Sequence, residues 1–232
     1  MARNMAYRNK PCGYCGANTG PDGEGDHVLP DSFYPQCTDP RIQRLKIPSC
    51  SKCNDLWQKD EGLFVTVMTL CGLRETPERR QLWTKSLRCF DRPIGGKKDL
   101  WAIASQLVPH PILRFDGKPY QKIYPCKNPR VVAVLKKIVR GLAHYHCGEI
   151  ISDKRVGVTH EPFPLFNELY GTLTTVYTVP HVFTGRSLFS NKPEVAGWHS
   201  LWVLDFLDNV RLFGWITGVG NLNEETVPYH LT

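Results

Sequence analysis

Two Cys-x-x-Cys pairs and one acid–histidine dipeptide carry most of the chemistry this chain offers. "CGYC" supplies Cys12 and Cys15, and "CSKC" supplies Cys50 and Cys53. Each pair presents two thiols from a tight turn. Two such pairs in one short segment have the spacing of a closed tetrahedral zinc site. A lone Cys-x-x-Cys also serves redox chemistry, but two of them flanking a glycine-rich stretch favour zinc. Four thiolates leave no open coordination position, so the expected ion is structural. Between the pairs lies "GDHVLP", which sets Asp26 beside His27. Taken alone, such a dipeptide is usually a solvated turn. Its flanks change that reading: Asn54 directly follows Cys53, and an ion joining the two pairs draws Asn54 toward Asp26 and His27.

The elements that must position these residues are legible in outline. Pro11, Gly13, Gly16, Gly20, Pro21, Gly23 and Gly25 exclude any long element before residue 26. So punctuated a segment has too little apolar content to hold itself together, and small modules of this kind use a metal staple. A helix is expected to start near Ser49 to Ser51 and run through "CSKCNDLWQKDEGLFVTVMTLCG", with Leu56, Leu63, Phe64, Val67 and Met68 inward. Gly62 costs about 1 kcal/mol in a helix interior and marks an expected kink or break. Beyond residue 75 the composition changes. "ETPERRQLWTKSLRCF" and "KKDLWAIASQLV" read as helices. "NPRVVAVLKKIVRGLAHYHCG" is the clearest one, with Val131, Val134, Leu135, Ile138 and Leu142 at helical spacing. Lys136, Lys137 and Arg140 fall largely on its other side, either as a solvated face or as a phosphate track. "TLTTVYTV", "HSLWVLDF" and "VRLFGWITG" read as strands, the last two joined by a hairpin turn at "LDN". The expected class is therefore α+β. A module at 1–75 is followed by a larger mixed α+β region at 76–232 that binds substrate, regulates the module or docks a partner.

"CGYCG", "GDHVLP" and "IPSCSKCN", followed by the acidic pair Asp60-Glu61, together resemble the HNH endonucleases of the ββα-metal, treble-clef type. The resemblance spans about residues 10 to 65, a quarter of the chain. It implies that His27 is the general base activating water against a phosphodiester. Asp26 and Asn54 would ligate a catalytic Mg²⁺ or Mn²⁺, while Cys12, Cys15, Cys50 and Cys53 hold the zinc. The family's middle Asn, which props the histidine, has no match here; Gln43 and Arg44 lie near its place. The chemistry is coherent on its own terms. Hydrolysis at neutral pH needs a base such as imidazole and a positive centre beside the phosphate. A carboxylate and an amide oxygen suit a hard dication, and thiolates suit zinc. Gln58 and Glu61 are further candidates near the ion, and Lys52 and Lys59 are candidates for phosphate contacts, with an ordinary surface role as the alternative for each.

Lys and Arg number 29 against 22 Asp and Glu, a net charge of +7, which favours a polyanionic partner. The expected partner is DNA. A lone HNH site cuts one strand, so a monomer is expected to nick. By association such enzymes serve restriction or phage defence, with protein partners of such a system. The rival reading is a non-catalytic zinc-stabilised module that binds nucleic acid or protein. No run of eighteen apolar residues occurs, so no membrane span is expected, and without an apolar signal core the expected location is the cytoplasm. Of nine cysteines, Cys37, Cys71, Cys89, Cys126 and Cys147 are expected as small core hydrophobes. His144, His146 and Cys147 are read as a helix end, His160-Glu161 as a loop, and Trp198, Trp202 and Trp215 as core aromatics.

Overall fold

The glycine- and proline-rich start folds into turns leading to a short hairpin, and the rest of the chain is built around one capped helix. The computed structural model describes residues 5–21, 23–71, 76–90, 103, 105, 108–113, 119–122, 124–162, 168–190, 198–208 and 210–218. Strand β1 (Glu24–His27) pairs antiparallel with β2 (Lys46–Ser49), in the register Asp26↔Ile47 and His27↔Lys46. The Val28 N–H extends the ladder to the Leu45 carbonyl at 3.0 Å. Helix α1 (Ser51–Cys71) follows at once, giving a ββα order.

Helix α1 runs through Gly62 without the expected break. A Cβ there would meet nothing within 4 Å, so the glycine costs only propensity, which the buried second half of the helix offsets. Trp57, 4 % exposed, is the inward residue of the first half, while Leu56 is 63 % exposed. The apolar face therefore starts one residue later than expected. Helix α2 (Pro77–Phe90) has proline at its first position, where no N–H is required. Thr76 Oγ1 accepts the Arg79 N–H at 3.2 Å, and Arg79 Nε donates to the Thr69 carbonyl near the end of α1 at 3.0 Å. The helix expected over "KKDLWAIASQLV" lies outside the described residues, apart from 103, 105 and 108. Strands β3 (Val108–Leu113) and β4 (Pro119–Lys122) form a separate antiparallel pair.

Helix α3 (Pro129–Cys147) is the centre of the molecule. Asn128 caps it, its side chain accepting from the N–H groups of Arg130 and Val131, and Gly148 closes it at φ 73°. Val131, Val134, Leu135, Ile138 and Leu142 are fully buried, as the periodicity predicts. One side of α3 lies on a five-stranded antiparallel sheet of β5 (Val156–Thr159), β6 (Thr174–Val179), β7 (Phe183–Phe189), β8 (Trp198–Phe206) and β9 (Val210–Thr217), in the order β5-β9-β8-β7-β6. Two glycines admit the helix: a Cβ at Gly185 would stand 3.1 Å from Leu142, and one at Gly214 3.0 Å from Val139. Leu207 and Asp208 both take positive φ in the short connection between β8 and β9, a left-handed conformation that tight hairpin turns use.

The other side of α3 lies on the ββα segment. A Cβ at Gly141 would meet the Val28 methyls at 2.8 and 2.9 Å. Phe33, Phe64 and Phe206 meet edge to face or tilted, with centroids 5.6–5.7 Å apart. Residues on both sides of position 75 thus share one apolar core. Gly141→Ala tests this contact. Helix propensity alone favours alanine by about 1 kcal/mol, but crowding against Val28 should turn the change into a net loss of about 1–3 kcal/mol. Urea unfolding of the two proteins reads the sign, and a stabilised variant would refute the close approach.

The remaining cysteines divide between core and surface, and the side chain of Cys89 lies outside the described residues. Cys37 and Cys147 are exposed, and Cys71 and Cys126 are half-buried. Cys71 and Cys126 pack against the apolar core, while Cys147 is the last residue of its helix and Cys37 lies in a loop. Among the described residues no helix is long and apolar enough to cross a membrane.

Candidate functional site

The four paired cysteines converge. Cys12 and Cys15 lie in the turn before β1, tied down by Gly16 N–H to the Cys12 carbonyl at 2.9 Å and Gly13 N–H to the Pro48 carbonyl at 2.8 Å. Gly16 takes φ 78°, which its missing Cβ permits. Cys50 ends the hairpin, and Cys53 sits in the first turn of α1. All four Sγ atoms lie within 4.8 Å of one another, and Cys15 Sγ is 3.7 Å from Cys50 Sγ. A zinc tetrahedron with bonds of about 2.3 Å has edges of about 3.8 Å, so the set fits that ion. Burial pushes the Cys12 thiol up, but hydrogen bonds from the backbone of Cys50, Tyr14 and Cys15 outweigh it and bring the thiol down to about 7. Burial and the neighbouring Cys12 push Cys53 far up. Thiols so crowded ionise together only around a cation, so these four could hold a structural zinc and would release protons on binding it. Among the described residues this is the sole cluster of three or more His, Cys, Asp or Glu side chains with that geometry.

Asp26 and His27 leave β1 on opposite faces. Asp26 turns inward and is 7 % exposed. Tyr14 Oη donates to its Oδ2 at 2.8 Å. Lys137 Nζ, from α3, stands 3.1 Å from Oδ1 and 2.9 Å from Oδ2. The same ammonium reaches Glu61 Oε1 on α1 at 2.6 Å and lies 5.7 Å from the centre of the Trp57 ring. Burial raises the pKa of Glu61 and Lys137 opposes that shift. Arg140, one turn further on, donates to the carbonyls of Ile151 and Tyr14 and lies over the Tyr14 and Trp57 rings. Lys137 and Arg140 are therefore neither a solvated face nor a phosphate track: at 1 % and 7 % exposure they are interior cations. Removing one partner of such a pair costs about 3–5 kcal/mol, because the other is left buried and charged.

His27 turns the other way, with 22 % of its side chain exposed and Nε2 3.5 Å from Asp31 Oδ1. Its cross-strand neighbour is Lys46, and Arg44 pairs with Asp31. Burial lowers the pKa of His27, Lys46 lowers it further, and Asp31 pulls against both. The ring is thus neutral at neutral pH, as a general base must be. Asn54 lies half-buried in the first turn of α1, its N–H bonded to the Cys50 carbonyl at 2.9 Å. Among the described residues no hydrogen bond joins its side chain to Asp26 or His27. Gln43 is exposed and its backbone carbonyl accepts the Tyr177 hydroxyl at 3.0 Å.

The zinc set fits its ion, but Asp26 does not fit a dication in this arrangement. Its carboxylate is buried and already carries a hydroxyl and an ammonium. An Mg²⁺ at its coordination distance of about 2.1 Å would press against that ammonium. Gln58, Lys52 and Lys59 are exposed, while Arg130 pairs with Asp60 and donates to the Lys59 carbonyl. His146 stacks on Phe189 with centroids 5.0 Å apart, and His144 Nδ1 lies 3.2 Å from the Glu149 carbonyl. Trp202 and Trp215 are buried.

Sequence reasoning missed Tyr14, Trp57 and the inward course of Lys137. The available signal was Gly141: a glycine in mid-helix marks a close approach, and Lys137 lies four residues before it on the same row. Comparison with family models, with curated proteins and with solved structures found no match to this chain.

Proposed function

We propose that this chain is an HNH-type endonuclease that hydrolyses phosphodiester bonds in DNA, stapled by a structural zinc on Cys12, Cys15, Cys50 and Cys53. The observation that carries the reading is the pairing of a ββα segment, knotted by four converging thiols, with a partly exposed histidine at the end of its first strand. His27, held neutral by burial and by Lys46, takes a proton from water as the oxygen attacks phosphorus and the bond to the leaving sugar oxygen breaks. Arg44 and Lys46 supply positive charge beside it. The resemblance adds Mg²⁺ or Mn²⁺ on Asp26 and Asn54, but Lys137 engages Asp26 in place of that ion. Acting alone, one such site nicks a single strand, and restriction or phage defence is the setting this chemistry suits.

A polyanionic partner is supported by a cavity of about 560 Å³ between Tyr34–Gln36 and α2, lined by Arg80, Lys85 and Arg88. It adjoins the His27 surface: Arg44 lies 4.9 Å over the Tyr34 ring, and Arg44 pairs with Asp31 beside His27. Each cation that meets a phosphate contributes about one unit to the salt slope of binding. The triple variant Arg80→Ala, Lys85→Ala, Arg88→Ala should therefore flatten log K against log salt by about two to three units. Fluorescence anisotropy on labelled duplex, with His27→Ala in both proteins to prevent cutting, reads this. An unchanged slope removes the cavity from the interface.

The capture of Asp26 by Lys137 favours a second reading, a non-catalytic zinc-stabilised module that binds nucleic acid or protein. Nicking of supercoiled plasmid with Mg²⁺, with Mn²⁺ and with chelator separates the two. Absence of nicking under every condition leaves the binder.

A further inference from the structure

Three charged groups meet in the interior, each from a different element. Asp26 comes from β1, Glu61 from the middle of α1 and Lys137 from the middle of α3. The ammonium stands 2.9 and 3.1 Å from the two oxygens of Asp26 and 2.6 Å from Glu61. It is 1 % exposed, so the carboxylates and the Trp57 face replace its water shell. Its donors are spent on them, and no route lets it reach a substrate phosphate directly. The Tyr14 hydroxyl takes further capacity of Asp26 at 2.8 Å. A divalent ion and the ammonium would compete for the same carboxylate oxygens. The ammonium is tethered to a helix capped at both ends, so its effective concentration at those oxygens far exceeds that of a free ion.

We infer that Lys137 is the resident cation of this site: Asp26 and Glu61 are its counter-ions, and Asp26 does not ligate a divalent metal. The pair also fastens α3 to β1 and α1, which makes the ββα segment depend on a helix far along the chain. Which cation Asp26 holds does not depend on whether the protein cuts DNA, so ion binding rather than cleavage reports on it.

The test is titration of the zinc-loaded full chain with Mn²⁺, following the indole N–H signal of Trp57 by NMR, assigned with Trp57→Phe. A paramagnetic ion on Asp26 would sit beside that ring and broaden its signal away. The expected result is survival of the signal in the native protein to about 1 mM Mn²⁺, the weak end of specific affinity. Lys137→Met, confirmed as folded by its zinc content, should gain Mn²⁺ affinity by at least about tenfold, with the signal lost as the ion binds. Adding Asp26→Asn should abolish that gain. Loss of the Trp57 signal at micromolar Mn²⁺ in the native protein overturns the inference, as does a folded Lys137→Met that gains nothing. Should Lys137→Met fail to fold, the native titration decides alone.

Discussion

Cys50→Ser is expected to unfold the first sixty or so residues, with loss of bound zinc and a collapse of the melting transition. Cys50 joins the hairpin to α1, and its sulfur faces Cys15 across 3.7 Å. Around it the chain offers little else: β1 and β2 are four residues each, and an isolated two-stranded hairpin is marginal in water. Binding of structural zinc by such thiols supplies about 10–16 kcal/mol at neutral pH, and that energy is folding energy. The loss should spread beyond the turn, because Tyr14, Ile47 and Trp57 belong to the common core. Chelation of the native protein should do the same reversibly, and zinc addition should release protons, since Cys53 holds its proton firmly in the metal-free set. Metal content with near-ultraviolet circular dichroism reads both. A chelated protein that melts where the loaded one does would show that the four thiols hold nothing of consequence.

How far the sequence could be read follows from what each element depends on. Helix α3 was legible to within a residue or two because its caps, Asn128 and Gly148, and its apolar row are local features. The β8–β9 hairpin was legible for the same reason: two runs rich in β-branched and aromatic residues and a short turn are written within twenty residues. The cysteine set was legible because a tetrahedral ion demands pairs at fixed spacing, and the structure brings all four together. What failed was whatever depends on a second element. Lys137 has the chemistry of a surface residue, and only the approach of Asp26 and Glu61, 111 and 76 positions away, makes an interior position tolerable. Leu56 and Trp57 are equally apolar neighbours, and only the packing of Tyr14, 4.8 Å from Trp57, decides which of them turns inward. Cys147 has the chemistry of a core residue but stands at the end of its helix, where its side chain is exposed.

His27→Ala is expected to lower plasmid nicking by about 10²–10⁴-fold, the usual contribution of a positioned general base. Zinc content and the melting transition should stay close to native, since the ring is partly exposed and its acidic partner, Asp31, lies at 3.5 Å, too long for a firm hydrogen bond. The pH dependence gives a sharper signature. Burial and Lys46 lower the ring's pKa below its ordinary 6.5. Below that lowered value the ring is protonated and cannot accept a proton, so nicking should rise with pH through an inflection under 6.5 and then level off. The stability linkage follows from the same shift. Between the folded and unfolded values the unfolded ring binds more protons, so the native protein should lose stability as pH falls through 6.5, and His27→Ala should remove that part of the slope. The two measurements separate chemistry from architecture. A variant that has lost zinc or melts early would make His27 a structural residue. One that nicks at the native rate would leave the module without its base and favour the binding reading, whose affinity for DNA should survive the substitution unchanged.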